Sequence, residues 1–404
     1  MTKARDLANI ISGGFDATDI PNLDTAKITS GTFVDARLPA TALNSNVDLT
    51  NLSASNLTSG TVADARLPST VLNSNVSVQN QSAFKNLIIN GDMSIAQRGT
   101  SASNVSTGYD TVDRFKILRG AGQLNVSQET DAPSGSGFVK SFKVLEGSSG
   151  ANPGASDTNR IQQIFEGQNL QYLKKGTSSA ESLTLSFWIK ATVTGTYIAE
   201  LYDLDNTRQI SKSYTVSSAS TWEYKTITFA GDTTGAFGND NGDSMSVSLF
   251  LTAGSNFTSG TLQTSWSSVT TANRAVGQVN ALASANDFVQ ITGVQLEAGT
   301  TASDFEFLPH DVNLTRCLRY FEEYQGSNSH GGLYGANAGG SNQYIGHIFY
   351  KVRKRARPTL SNVSGGGYTA INNSSGGDKG GEDSMYFNGN SDSYIINISI
   401  DAEL

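Results

Sequence analysis

One cysteine, Cys317, stands in 404 residues, so no disulfide framework can brace this chain. Stability must come from a core or from association with other copies. Charged residues make up only 16%, against about 25% in an ordinary domain. The high-charge, low-apolar signature of disorder is therefore absent. The balance is acidic, with net charge −8, which argues against nucleic acid as a partner. No apolar run reaches the roughly 18 residues a membrane helix needs. The first dozen residues carry Lys3, Arg5 and Asp6, so a secretory signal is not expected. The three histidines, His310, His330 and His347, have no metal-ligand spacing. No nucleophile elbow, P-loop or dinucleotide fingerprint occurs. The 36 acidic residues single out no carboxylate pair for glycan hydrolysis. No catalytic residue, metal or cofactor is assigned, and the chain is not expected to be an enzyme.

What is present is glycine, 41 residues against 7 prolines, and a repeat. ITSGTFVDARLPATALNSNV at 28–47 returns as LTSGTVADARLPSTVLNSNV at 57–76, 29 residues on, with 15 of 20 positions identical. Two units thus fill 19–47 and 48–76. A stacking unit cannot bury its apolar face alone, and about three are usually needed. Leu38, Leu43, Leu52, Leu57, Leu67 and Leu72 therefore require cover from other copies of the chain. The repeat predicts a thin, intertwined homo-oligomeric shaft. Ahead of it, residues 3–12 predict a short helix with Ala4, Leu7, Ala8, Ile10 and Ile11 on one stripe, stopped by Gly13 and Gly14. Ten residues are marginal as an isolated helix, so the stripe predicts either docking on another protein or on copies of the chain, or a frayed terminal helix.

From 87 onward the pattern is globular β. LTLSFWIK at 183–190 alternates, with Leu183, Leu185, Phe187 and Ile189 on one face. Val247, Leu249 and Leu251 repeat that spacing. VQIT at 289–292 and VQLE at 294–297 bracket Gly293, which predicts a bulge. Short strands with polar turns predict a sandwich or jelly roll. Trp188, Tyr197, Tyr202 and Trp222 offer either a sugar-stacking platform or, as the main expectation, core and subunit contacts. Residues 239–243, NDNGD, carry calcium-like oxygens without the distal Glu of a calcium loop, so an Asn-Gly turn is expected.

The LTSGT–DARLP unit resembles shaft repeats of bacteriophage tail fibres. So do NLIINGDMSIAQRG at 86–99, GVQLEAG at 293–299, FEFLP at 305–309 and CLRYFE at 317–322. The opening KARDL at 3–7 is similar to fibre N-termini from phages of marine cyanobacteria. The resemblance covers roughly 1–325 well and 326–404 loosely. It implies a mainly β homotrimer located in the virion. Its parts would be an anchor at 1–18, a repeat shaft at 19–85, a jelly roll at 86–310, a linking helix at 311–325 and a small β tip domain at 326–404. It also implies a tail nozzle or adaptor protein as partner for the N-terminus, with Leu7, Ala8, Ile10 and Ile11 as attachment residues. Related jelly rolls carry a structural calcium, for which no residues are assigned.

In the helix at 311–325, Asp311 is the expected N-cap, and Leu314, Leu318 and Phe321 share a face. Strands are expected at 344–357, 385–388 and 394–401. On the first, Lys351, Arg353, Arg355 and Arg357 would line one side, either as a solvated or paired face or as a patch for anionic lipopolysaccharide. Loops 326–343 and 363–393 are rich in Gly, Ser, Asn and Tyr, the composition of adaptable binding loops. Tyr334, Tyr344 and Tyr368, with the four basic residues, are the candidate receptor-binding set. The function expected is non-covalent recognition of a host-surface glycan, lipopolysaccharide or outer-membrane protein. The alternatives are a purely structural fibre or adaptor and a glycan depolymerase. A fragment ending near Gln325 is expected to fold without the tip.

Overall fold

A computed structural model of the chain describes Lys3, Ala4, Ala8, Ser12 and residues 84–325, 333–334, 336–337, 344–372 and 381–404. The contacts divide it into two units, 1–77 and 78–404. In the first unit Lys3, Ala4, Ala8 and Ser12 are helical and exposed. Leu7, Ile10, Ile11, the repeats and the shaft leucines lie outside the described residues.

The second unit is built on eight long antiparallel strands: β1 Ser141–Glu146, β2 Thr158–Glu166, β3 Leu183–Ala191, β4 Gly195–Asp203, β5 Arg208–Val216, β6 Glu223–Phe229, β7 Asp243–Ala253 and β8 Phe288–Ala298. One sheet runs β1-β8-β3-β6, the other β5-β4-β7-β2. This order, in which successive strands alternate between the two sheets at every step but β4–β5, is that of a jelly roll. Short strands extend the edges: Leu124–Glu129 beside β1 and Lys116–Leu118 beside β2.

Period-two patterning fixes which faces meet. Leu183, Leu185, Phe187 and Ile189 of β3 are buried between the sheets, as expected. In β8, Val289 and Ile291 point inward, yet so do Val294 and Leu296, which a regular strand would turn outward. The predicted bulge resolves this. Pairing with β3 shifts between Thr292 and Gln295, and Gly293 sits at φ +60°, a conformation that favours glycine. Phe142, Tyr197, Leu201, Phe229 and Leu249 complete the core.

A third sheet follows, built on β9 Phe321–Gln325, β10 Tyr344–Phe349, β11 Thr359–Asn372 and β12 Ser384–Asp401, with two-residue strands at Leu333–Tyr334 and Ala336–Asn337. The long β12 pairs with β9, β10, β11 and Leu333–Tyr334. Ile348, Met385, Ile395, Ile398 and Ile400 form its core. Between sandwich and third sheet lies helix α1, His310–Leu318. Its Leu314 and Cys317 pack with Tyr320 on Ile89 and Ile95.

Four expectations are corrected here. The helix ends at Leu318 rather than 325, because Phe321–Gln325 pairs with 397–401 of β12. Phe321 is therefore a strand residue. Asp311 is not the cap: Pro309 holds that position, and Asp311 sits in the first turn, where a carboxylate complements the helix dipole. Strand 344–357 stops at Phe349, and 384–401 is one strand rather than two. Among the described residues, no helix is long and apolar enough to cross a membrane.

Candidate functional site

Of the sandwich's outward faces, the β8-β3-β6 face carries a groove of about 810 Å3. Its floor follows from strand alternation. With the hydrophobic residues of β3 inward, Thr184, Ser186, Trp188 and Lys190 face out. On β6, Tyr224, Thr226 and Thr228 face out beside them, and Tyr224 stands directly opposite Trp188. The two rings lie 5.4 Å apart between centroids, tilted by 49°. Trp188 is half-buried, whereas Tyr224 is 45% exposed.

A second aromatic wall comes from irregular segments. Phe138, Phe305 and Phe307 form a triangle with centroids 4.9 to 5.0 Å apart. Phe307 is 53% exposed. Residues 299–307 are held over the sheet by buried acceptors. The Ser303 amide donates to Glu297 Oε1 at 2.8 Å and its hydroxyl to Oε2 at 2.6 Å. The Glu306 amide donates to Gln295 Oε1 at 2.9 Å. The segment 131–140 is held likewise. The Thr292 hydroxyl donates to Lys140 O at 2.7 Å, and Gln290 Nε2 to Asp131 O at 3.0 Å. The bulge matters because Gly293 lines the groove directly under Phe138.

Ser136, Ser186, Thr226, Thr301 and Ser303 line the groove with the aromatic residues. The lining contains one carboxylate, Asp304. Charges at the margin are matched internally. Lys190 reaches Asp131 at 2.7 Å, and the Trp222 indole N–H donates to the same carboxylate at 3.2 Å. Burial works against ionised Asp131, but these donors and the Lys190 charge hold its carboxyl below the usual range. Rings that stack on flat apolar faces, with hydroxyls between them, bind a polyhydroxylated ring without needing charge.

The sequence-level candidates are placed as follows. Tyr197 is core, its hydroxyl donating to Val193 O at 2.7 Å. Tyr202 lies on the other sheet under Arg274, and Trp222 is at the groove margin. Of those four aromatics Trp188 alone enters the groove. Tyr224, Phe138, Phe305 and Phe307 were not anticipated. The signal for Tyr224 was its alternation with Ile227 and Phe229; the phenylalanines gave none, since a loop carries them.

The four-cation face of 351–357 does not form, because this stretch is not a strand. Arg355 turns inward, donating to Ala402 O, Asn241 O and Glu403 O at 2.9 to 3.0 Å. Arg353 is exposed and pairs with Glu382 at 2.7 Å. Lys351 lies 3.6 Å from Glu322, whose other oxygen takes buried Lys354 at 2.8 Å. Arg357 is exposed. By backbone register Tyr334 opposes Tyr394, and Tyr344 and Tyr368 both oppose Gly389. Of the expected loop at 363–393, residues 363–372 and 384–393 belong to β11 and β12 instead. The side chains of these three tyrosines, and residues 326–332, 335, 338–343 and 373–380, lie outside the described residues. The 239–243 segment is a turn in which Asp240 Oδ1 accepts the Gly242 amide at 2.8 Å. Among the described residues no group of three His, Cys, Asp or Glu is placed to hold a metal ion.

No family model and no curated protein matches this sequence. Solved structures give weak likenesses. The enzymatically active domain of bacteriophage CBA120 tailspike protein 4 is 13% identical with a TM-score of 0.32, covering 54% of this chain and 22% of that one. TmCBM61 in complex with β-1,4-galactotriose is 9% identical with a TM-score of 0.23, covering 53% and 99%. The family 11 carbohydrate-binding module of Lic26A-Cel5E from Clostridium thermocellum is 12% identical with a TM-score of 0.24, covering 50% and 97%. The fold assignment itself rests on the strand order above.

Proposed function

We propose that this protein is a homotrimeric phage tail fibre, anchored to a tail nozzle or adaptor through 1–18, that binds a host-surface glycan non-covalently on its jelly roll. The observation that carries the glycan reading is the groove lined by Trp188, Tyr224, Phe305 and Phe307 together with serine and threonine residues, with Tyr224 and Phe307 exposed. The fibre reading is supported by the 29-residue repeat and by the segments that flank the sandwich. The single carboxylate in the groove, Asp304, supports binding over hydrolysis, which ordinarily needs a positioned pair.

The test is an array of bacterial surface polysaccharides probed with the full chain, with glycan length measured before and after. Binding that is lost in Trp188→Ala with Tyr224→Ala, and that leaves glycan length unchanged, supports the reading. Shortened glycan makes the protein a depolymerase. Binding that survives the double substitution moves recognition to the third sheet. No binding to any glycan or cell leaves a structural fibre.

A further inference from the structure

A second cavity, of about 330 Å3, lies where α1 meets β2 and the 84–89 segment, away from the groove. Its walls are apolar, from Leu87, Ile89 and Phe165. Two aromatic side chains stand exposed at it, Phe84 at 53% and Tyr172 at 48%. Two guanidinium groups, Arg316 and Arg319, line it.

The two arginines are not equivalent. Arg319 gives Nε and one terminal nitrogen to the Glu166 carboxylate at 2.8 and 2.7 Å, a closed forked pair. Arg316 has five N–H donors, and among the described residues it makes one hydrogen bond, to Asn86 O at 3.3 Å. Glu306, the acid whose charge acts on Arg316, already accepts the amides of Phe84 and Asn86 at 2.7 and 2.9 Å. Burial pulls the Arg316 guanidinium below its ordinary range, with Arg114 adding to that effect against the nearby Cys317, Glu306 and Tyr320. Glu166 neutralises one of the two cations, and among the described residues no carboxylate lies within 4 Å of the other. A half-dehydrated cation without a counter-ion is costly, and an entering anion relieves that cost.

We propose that this cavity binds the carboxylate of an acidic sugar of uronic-acid type. The carboxylate would take the free fork of Arg316, and the ring would lie against Tyr172 and Phe84. Volume selects one ring rather than a chain. The planar fork selects a carboxylate over a neutral hydroxymethyl group. The site is independent of the groove, so one can fail without the other.

The experiment is calorimetric titration of the full chain with D-galacturonate, D-galactose and inorganic phosphate. Galacturonate should bind, and more weakly at higher salt. Galactose should bind at least about tenfold more weakly, the factor one charge-assisted hydrogen bond supplies. Arg316→Gln should weaken galacturonate by about the same factor and leave binding in the groove untouched. Should Arg316→Gln fail to fold, Tyr172→Ala on the exposed margin should still weaken galacturonate without changing the melting temperature. Equal affinity for galactose overturns the proposal, as does phosphate binding as tightly as galacturonate. Unchanged affinity in the Arg316 variant, or in Tyr172→Ala where it stands in, overturns it too. If galacturonate does not bind and Arg316→Gln lowers the oligomeric mass, the cavity is a contact between copies of the chain and the proposal falls.

Discussion

Trp188 and Tyr224 owe their exposure to strand parity: the same alternation that buries Phe187 and Ile189 forces its neighbours out. Their removal should therefore cost function more than stability. Losing one stacking ring should weaken glycan binding about tenfold, near 1 kcal/mol of aromatic contact. Tyr224→Ala should change the melting temperature little, since its ring is half in water; a large drop would make it a packing residue instead. Asp113 presents the opposite case. It is fully buried and its carboxyl is pushed up to about 6, first by burial and also by Glu403, against the Gln97 donors and the Arg98 charge. Because the native carboxyl holds its proton more tightly than the unfolded one, this group's contribution to stability is full below about pH 4. It is lost as pH rises through 6. At about 1.4 kcal/mol per pH unit the loss is roughly 3 kcal/mol. Asp113→Asn, which cannot ionise, should gain on the wild type by several degrees in melting temperature between pH 4.5 and 7. A constant offset across that range would mean the carboxyl does not titrate there.

The bulge in β8 joins core and groove. It switches strand parity so that Val289, Ile291, Val294 and Leu296 all reach the core, and it lays Gly293 beneath Phe138. A Cβ at this position would lie 2.5 Å from Phe138 Cζ and 2.7 Å from Cε2, on backbone at φ +60°. Phe138 cannot swing away freely, since Phe305 and Phe307 flank it at 4.9 and 5.0 Å. Gly293→Ala should cost about 1–3 kcal/mol and weaken glycan binding at the same time. Denaturant unfolding with binding measured in parallel checks both; a loss of stability with intact binding would separate the bulge from the groove. This element was legible in the sequence because both halves of the strand keep their own alternation around one glycine. β3 was legible for the same reason. The groove as a whole was not, because Phe138, Trp188, Tyr224 and Phe305 come from four separate stretches that only the folded sheets bring together. The 351–357 run misled for a related reason. Its alternating cations read as a strand face, but Lys354 is drawn into burial by Glu322, 32 residues earlier, and Arg355 by main-chain carbonyls. Such long-range pairing overrides local pattern. In the linking segment, the pairing of Phe321–Gln325 with β12 likewise ended a helix that local periodicity had extended.

At the scale of the molecule, sandwich and third sheet are tied by charge as well as by packing. Arg114, on the sandwich, is 1% exposed; it donates to Ile164 O at 2.7 Å and pairs with Glu403, with its guanidinium 3.5 Å from the Tyr320 ring centroid. Arg98 reaches Asp401 at 3.1 Å and Glu403 at 3.4 Å, and Arg355 crosses to Asn241. β9, directly after the helix, has its partner in 397–401. A chain cut after Gln325 would leave β9 unpaired and Arg114 buried without its carboxylate. The expected foldable fragment ending near Gln325 is therefore replaced by a different prediction: residues 78–404 unfold as one cooperative unit, and that fragment does not fold. Glu403→Gln is the gentler test of the same linkage. Stranding a buried cation costs about 3–5 kcal/mol, and the loss should lower a single calorimetric transition of the whole unit rather than split it. Two transitions, of which only the one assigned to the third sheet moves, would show that the sheets are separate domains. The fragment would then become a usable probe for locating glycan binding. With one transition, groove and third sheet must instead be distinguished by point substitutions such as Tyr224→Ala and Arg353→Glu, each exposed enough to leave the shared fold standing.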